Sequence, residues 1–481
     1  MTSRARPILL LIALLVPLSA HASGGEAHPL QFDEVLRSVS THDPRIRQAV
    51  ERLRRAEGKT TEARGAFDPR LGGDAKLTTG AYYDLRSANV ELRQPTTIWG
   101  SELYAGYRIG LGLNQSFPFY ADNQTLSAGE VRAGIEIPIW RGGLIDPERA
   151  ERTRAIRLEE AAGHALSVTE LDLELAAAGA YWKWVSAGQN RQVANALLRL
   201  AEERDEQLRR RLKAGSIPEF DVLDNERILL ERKAFVVSAE RAFEQAGFEL
   251  SLFLRDSGGE AVVPDAERVP QRLEIRPLEQ LAVEQAVSQV LACHPELERS
   301  RAELEAAGVD LTLTRNQVAP DVRAFFQYSR DLGELTGTVL DFTLPGNVFQ
   351  AGVELSVPLL LRRDRGRRDA ARAEVAEKQA RLDFIADQLR ARTRDAASAV
   401  HAAQARAELT EDVVEAAAEL AEGERRRFEV GASNLIFVNL REQQAAMARM
   451  QYIDALAFAE IERTRWQTTT RVSCGPDTEA P

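Results

Sequence analysis

The chain has 481 residues, a net charge of −11, 28% charged residues and only 6% aromatics. That balance argues against nucleic acid as a partner, because no basic surplus exists to neutralise phosphates. The abundance of Ala, Glu, Arg and Leu leans towards long helices or coiled coil, and two cysteines, Cys293 and Cys474, leave one pairing open but no disulfide framework.

The N-terminus reads as a secretory signal over residues 1–22. Arg4 and Arg6 precede an apolar stretch at 8–18, and Ala20-His21-Ala22 is a small-x-small cleavage site. The apolar stretch falls short of the roughly 20 residues that span a bilayer. From residue 30 to 64 the pattern is helical, with Phe32, Val35, Leu36 and Val39, then Ile46, Val50, Leu53 and Ala56, broken by Asp43-Pro44.

Period-two alternation then takes over. Ala75, Leu77, Thr79 and Ala81 form a weak apolar face; Leu103, Ala105, Tyr107, Ile109, Leu111 and Leu113 form a clear one. Val131, Ala133, Ile135, Ile137 and Ile139 form a third, opposite Arg132, Gly134, Glu136 and Pro138. Val90 and Leu92 mark another short alternating piece, to which no pairing is assigned. Aromatics gather towards the strand ends: Trp99, Tyr104, Phe117, Phe119, Tyr120 and Trp140.

Pro147 opens a helix expected to run to about Leu212, with Val193, Leu197, Leu200 and Leu208 at coiled-coil spacing. Gly215 suits a left-handed helix end. Ser216 and Glu219 are expected to form a capping box for the next helix, with Pro218 in its first turn. That helix reaches about Leu254, and 256–277 is a Gly- and Pro-bearing linker.

After the linker the plan restarts. Pro295, Ala307 and Pro320 match Pro44, Ala56 and Pro69 at one constant offset, and Ala-Gly-Ile-Glu-Ile at 133–137 returns as Ala-Gly-Val-Glu-Leu at 351–355. Val322, Ala324, Phe326 and Tyr328 alternate, a long helix is expected from about Asp369 to Phe428, and Gly431 repeats the turn at Gly215. The expected organisation is therefore signal 1–22, first repeat 23–255, linker 256–277, second repeat 278–467 and tail 468–481.

Apolar faces alternating with polar ones, in a chain with no long apolar run after the signal, describe a transmembrane β-barrel with a wet lumen. About four long strands cannot close a barrel alone, so several chains form a symmetric ring. The polar face carries Arg108, Arg132, Glu136 and Glu354 as lumen candidates.

The order of elements resembles the TolC family of outer-membrane efflux and secretion ducts. Pro138-Ile139-Trp140-Arg141-Gly142-Gly143 is similar to the family's strand-to-helix passage; in the second copy Pro358-Leu359-Leu360-Leu361 holds that place, but Arg362-Arg363-Asp364-Arg365-Gly366 replaces Gly-Gly. Ala214-Gly215, Val430-Gly431 and Asp221-Val222-Leu223-Asp224 resemble the helix-tip motifs. The resemblance implies a mainly α chain with membrane β. Its long antiparallel coiled-coil helices and four strands per chain would make a homotrimer with a 12-stranded barrel and a helical tunnel in the periplasm. It implies an outer-membrane channel of a tripartite efflux pump or type I secretion system, partnered by a periplasmic adaptor and an inner-membrane pump. It implies a periplasmic gate at Asp221 and Asp224, with adaptor docking at Gly215, Ser216, Gly431 and Ala432. The second copy departs at Phe437 and Leu440, where acids are expected, so the constriction is acidic or partly apolar. Cargo stays open among drugs, metal ions, polysaccharides and proteins.

The alternative is a non-conducting periplasmic coiled-coil scaffold. No enzyme is expected, and neither cofactor nor metal. Gly58-Lys59-Thr60 lacks the earlier glycine of a phosphate loop, no Gly-x-Ser-x-Gly occurs, and the six histidines form no ligand pair. His42, His164, His294 and His401 read as surface residues, Trp182 and Trp184 as packing, and Arg425 to Arg427 as a solvated helix face.

Overall fold

The computed structural model describes residues 28–79, 84–112, 125–273, 281–334 and 346–472. The signal, Phe117, Phe119, Tyr120 and Cys474 lie outside them. Cys293 is disulfide-bonded.

The chain opens with α1 (Phe32–His42) and α2 (Pro44–Arg64), which bend at Asp43. Asp43 is buried and caps α2: its carboxylate accepts from the Arg45 backbone N–H at 2.7 Å, while Pro44 needs no partner in the first turn. α5 (Val283–Cys293) and α6 (Pro295–Gln317) repeat the bend. There His294 plays the part of Asp43, its Nδ1 accepting from the Glu296 N–H at 3.2 Å. The expectation of a surface histidine is thus corrected: His294 is buried because it is a cap.

Among the described residues six strands form one antiparallel sheet in the order of the chain. They are β1 (Arg70–Thr79), β2 (Asp84–Pro95), β3 (Glu102–Gly112), β4 (Glu130–Pro138), β5 (Asp321–Asp331) and β6 (Val348–Ser356). The expected count of about four is corrected to six, because residues 70–79 and 84–95 are full strands. The unplaced Val90 and Leu92 belong to β2, opposite Tyr107 and Ala105 of β3. By the repeat, β1 corresponds to β5 and β4 to β6, so β2 and β3 are an insertion in the first copy.

The long helices follow the sheet. α3 (Pro147–Lys213, 67 residues) and α7 (Arg362–Glu429, 68 residues) each extend about 100 Å at 1.5 Å per residue. α4 (Glu219–Ser251) returns along α3 and α8 (Leu435–Thr470) along α7. α7 begins seven residues before the expected Asp369. Leu361, at φ 49°, turns the chain, and the Arg-rich run becomes the helix's first turns, with Asp364 suited to the N-terminal dipole.

The main core lies where α1, α3, α4 and the linker meet. Trp184, Tyr181, Phe243 and Leu250 pack with Leu30 and Val269, so Trp182 and Trp184 are packing residues. The Tyr181 hydroxyl donates to the Leu30 carbonyl at 2.7 Å, tying the start of the chain to α3. No helix among the described residues is long and apolar enough to cross a membrane.

Candidate functional site: a two-faced sheet and paired helix tips

Strand pairing fixes the two faces of the sheet, because directly opposed residues point the same way. One face carries Leu71, Val90, Leu92, Leu103, Tyr107, Val131, Ile135, Phe326, Phe349, Val353 and Leu355. Most of these are exposed, and no helix among the described residues covers them. The other face carries Asp74, Lys76, Glu91, Arg93, Arg108, Arg132, Glu136, Arg323, Gln327 and Glu354. All four lumen candidates share this polar face.

The charges there pair rather than project singly. Arg108 meets Glu130 at 2.6 Å, Arg132 meets Glu91 at 2.6 Å, and Arg93 reaches Glu102 at 2.8 Å and Glu136 at 3.7 Å. Tyr104, the third residue of β3 and so near the strand end, lies on the polar face and donates to Gln327 Oε1 at 2.9 Å. Trp99 and Trp140 do sit at the end of the sheet next to the helices, beside exposed Ile98, Ile139, Leu144, Leu359 and Leu360. Such a belt suits a membrane–water boundary.

Far from the sheet, the two hairpins of long helices end alike. Gly215 has φ +68° and Gly431 φ +78°. The Ser216 N–H bonds to the Arg211 carbonyl (3.0 Å) and the Gly215 N–H to that of Leu212 (2.9 Å); Ala432 and Gly431 repeat this with Arg427 and Phe428 at 2.8 and 3.0 Å. Both are Schellman turns. The capping box at Ser216 and Glu219 does not form. The Ser216 hydroxyl instead donates back to the Arg211 carbonyl at 3.0 Å, and Pro218 is the cap residue, with no side-chain bond. In the second tip Asn434 caps α8 through the Phe437 N–H at 3.1 Å.

A Cβ at either glycine would meet nothing within 4 Å, so a substitution is penalised by backbone strain alone. Gly215→Ala and Gly431→Ala are each expected to cost about 1–2 kcal/mol, with asparagine costing less. Faster amide exchange at the tips is the readout; unchanged exchange would contradict the left-handed assignment.

Asp221 stands in the first turn of α4, favoured by the helix dipole. Asp224 pairs with Arg227 on the same helix at 3.3 Å. Around them Phe220, Leu223, Ile436, Phe437 and Leu440 are exposed, so apolar and acidic groups mix at this end.

One cluster near the tips has no sequence motif. Glu442 of α8, its side chain 2% exposed, binds Arg204 of α3 at 2.5 Å and Arg232 of α4 and Arg425 of α7 at 3.4 Å each. Asn439 Oδ1 also accepts from Arg204, at 2.5 Å. Arg425 is therefore an ion-pair partner at the edge of a helix face on which Arg426 and Arg427 are exposed. Burial raises the Glu442 pKa, but the Arg204 hydrogen bond and the charges of Arg204, Arg232 and Arg425 outweigh it and hold the carboxyl below its ordinary value. No group of residues that could hold a metal ion occurs among the described residues.

Residues 286–465 match the family model described as outer membrane efflux protein. No curated protein sequence matches the chain. Solved structures do. A membrane protein from Pseudomonas aeruginosa superposes with TM-score 0.66 at 15% identity, covering 93% of this chain and 94% of that one. The outer membrane protein VceC from Vibrio cholerae gives 0.63 at 16%, covering 92% and 96%. The Campylobacter jejuni outer membrane channel CmeC gives 0.65 at 12%, covering 91% and 85%. At these identities the likeness is one of fold, and it extends over nearly the whole of this chain, including the first repeat that the family model leaves unmatched.

Proposed function

We propose that the protein is a passive export duct of the outer membrane, the channel component of a tripartite efflux pump or a type I secretion system. The observation that carries this is the sheet: one face apolar, exposed and uncovered, the other charged and internally paired. That is the division a barrel between lipid and water requires.

A ring is supported by what one chain leaves open. Packing runs α4–α3–α8–α7, so α4 and α7 are the flanks. α4 exposes Phe220, Leu223, Leu230 and Val237, and α7 exposes Leu409, Val413 and Leu420, both at helical-stripe spacing. A head-to-tail contact between such flanks closes into a ring, and the resemblance makes it a homotrimer. The tips at Gly215, Ser216, Gly431 and Ala432, with Phe220 and Phe437 beside them, would dock a periplasmic adaptor and inner-membrane pump. Arg108, Arg132, Glu136 and Glu354 would line the lumen, and the helices would form the periplasmic tunnel.

Conductance of the purified full-length protein in planar bilayers tests the duct: discrete channels are expected, whereas their absence favours the scaffold. Asp221 and Asp224 are assigned to the gate, since a ring of carboxylates attracts cations. Asp221→Ala combined with Asp224→Ala is expected to raise single-channel conductance and weaken block by multivalent cations. If both stay at the unmodified level, the gate lies elsewhere.

A further inference from the structure

The inserted hairpin is part of the sheet along its whole length. β2 pairs with β1 from Arg70↔Arg93 to Thr79↔Asp84, and with β3 from Leu85↔Gly112 to Pro95↔Glu102. It keeps the division of faces, with Val90, Leu92, Leu103 and Tyr107 on the apolar side. Its polar side is tied into the older strands, since Glu91 binds Arg132 of β4 and Arg108 binds Glu130. The turn between β2 and β3 is short, closed by Thr96 N–H to the Ser101 carbonyl at 2.8 Å. It lies at the helix end of the sheet, where barrels keep their short turns.

We propose that all six strands of each chain enter the barrel, with β1 of one copy pairing antiparallel with β6 of the next. Resting on the three-copy ring proposed above, this gives six strands from each of three copies, eighteen in all, in place of twelve. The repeat also supplies the register. β4 meets β5 with Ile135 opposite Phe326; the repeat equates Ile135 with Val353 and Phe326 with Ala75. Val353 therefore faces Ala75 of the neighbouring copy, both on the apolar side. For strands 4.8 Å apart and tilted by roughly 40°, a barrel of twelve is about 24 Å across between backbones and one of eighteen about 36 Å. Among the described residues four helical passages per chain enter these six strands, so the barrel is wider than the tunnel beneath it. The size limit on cargo then lies at the helix tips, and the barrel passes whatever the tips release.

The test is oxidative cross-linking of full-length Ala75→Cys/Val353→Cys protein in outer membranes, with native mass spectrometry of the unmodified protein. Cys293 is already disulfide-bonded and does not compete. A covalent trimer on a denaturing gel is the expected result. A trimer that links instead through Ile109→Cys and Val353→Cys, with β3 as the edge, or through neither pair, overturns the eighteen-strand barrel while leaving the ring intact. A mass other than three copies overturns the ring itself. If the cysteine variants fail to assemble, electron cryomicroscopy of the unmodified protein in lipid nanodiscs decides between eighteen strands and twelve.

Discussion

Glu442→Ala is expected to destabilise the tip end of the helices by about 3–5 kcal/mol, the range for breaking a buried ion pair from one side. The residue binds one arginine from each of the other three long helices. Its removal leaves Arg232, whose side chain is 7% exposed, with the Leu197 carbonyl and Asn439 as partners and no countercharge. Arg204 keeps Asn439 alone among the bonds described for it. Amide exchange should rise in α3, α4 and α8 around these residues while the core at Trp184 stays protected. Glu442→Gln keeps shape and some hydrogen bonding, so its effect should be smaller. Acid should act in the same direction. The Glu442 pKa is lower in the folded chain than its ordinary value of 4.5, so its contribution is complete above that value. It fades as pH falls through the lower folded value. Exchange at the tips that ignores both substitution and acid would remove Glu442 as the clasp between the two hairpins.

The second large effect sets two positions on one strand against each other. Val353 and Gln350 are both exposed on β6 but lie on opposite faces. In a water-soluble sheet, arginine at either would change stability by no more than about 0.5 kcal/mol. If the apolar face meets lipid, Val353→Arg costs about 2–4 kcal/mol near the bilayer midplane, in every copy of the ring. Gln350→Arg faces water and costs little. The amount of assembled protein extracted from outer membranes should therefore collapse for Val353→Arg and hold for Gln350→Arg. Equal yields would refute the lipid assignment of that face.

The strands were legible where alternation is strict, as at 103–112 and 131–138, and the repeat of 133–137 at 351–355 exposed the two-copy plan. The tips were legible because only glycine meets the left-handed turn without strain. β2 was less so, since Arg86 and Gln94 fall on its apolar face and blur the pattern. The Glu442 cluster is invisible to local motifs because Arg204 and Glu442 are 238 residues apart. One signal was available: Arg232 lies among Val222, Asn225, Val236 and Phe243 on the buried seam of α4, a place where a charge needs a partner. The Ser216 capping box failed because the Schellman turn had already taken that hydroxyl.

A single folded chain shows water an open strand edge at β1 and at β6, an uncovered apolar sheet face and apolar stripes on α4 and α7. Open edges of this kind invite pairing with other chains. In the proposed duct the isolated protomer is a poor thermodynamic species, and its folding, membrane insertion and ring closure would be linked events rather than successive ones. Its stability would then be a property of the assembly, dependent on protomer concentration and on lipid.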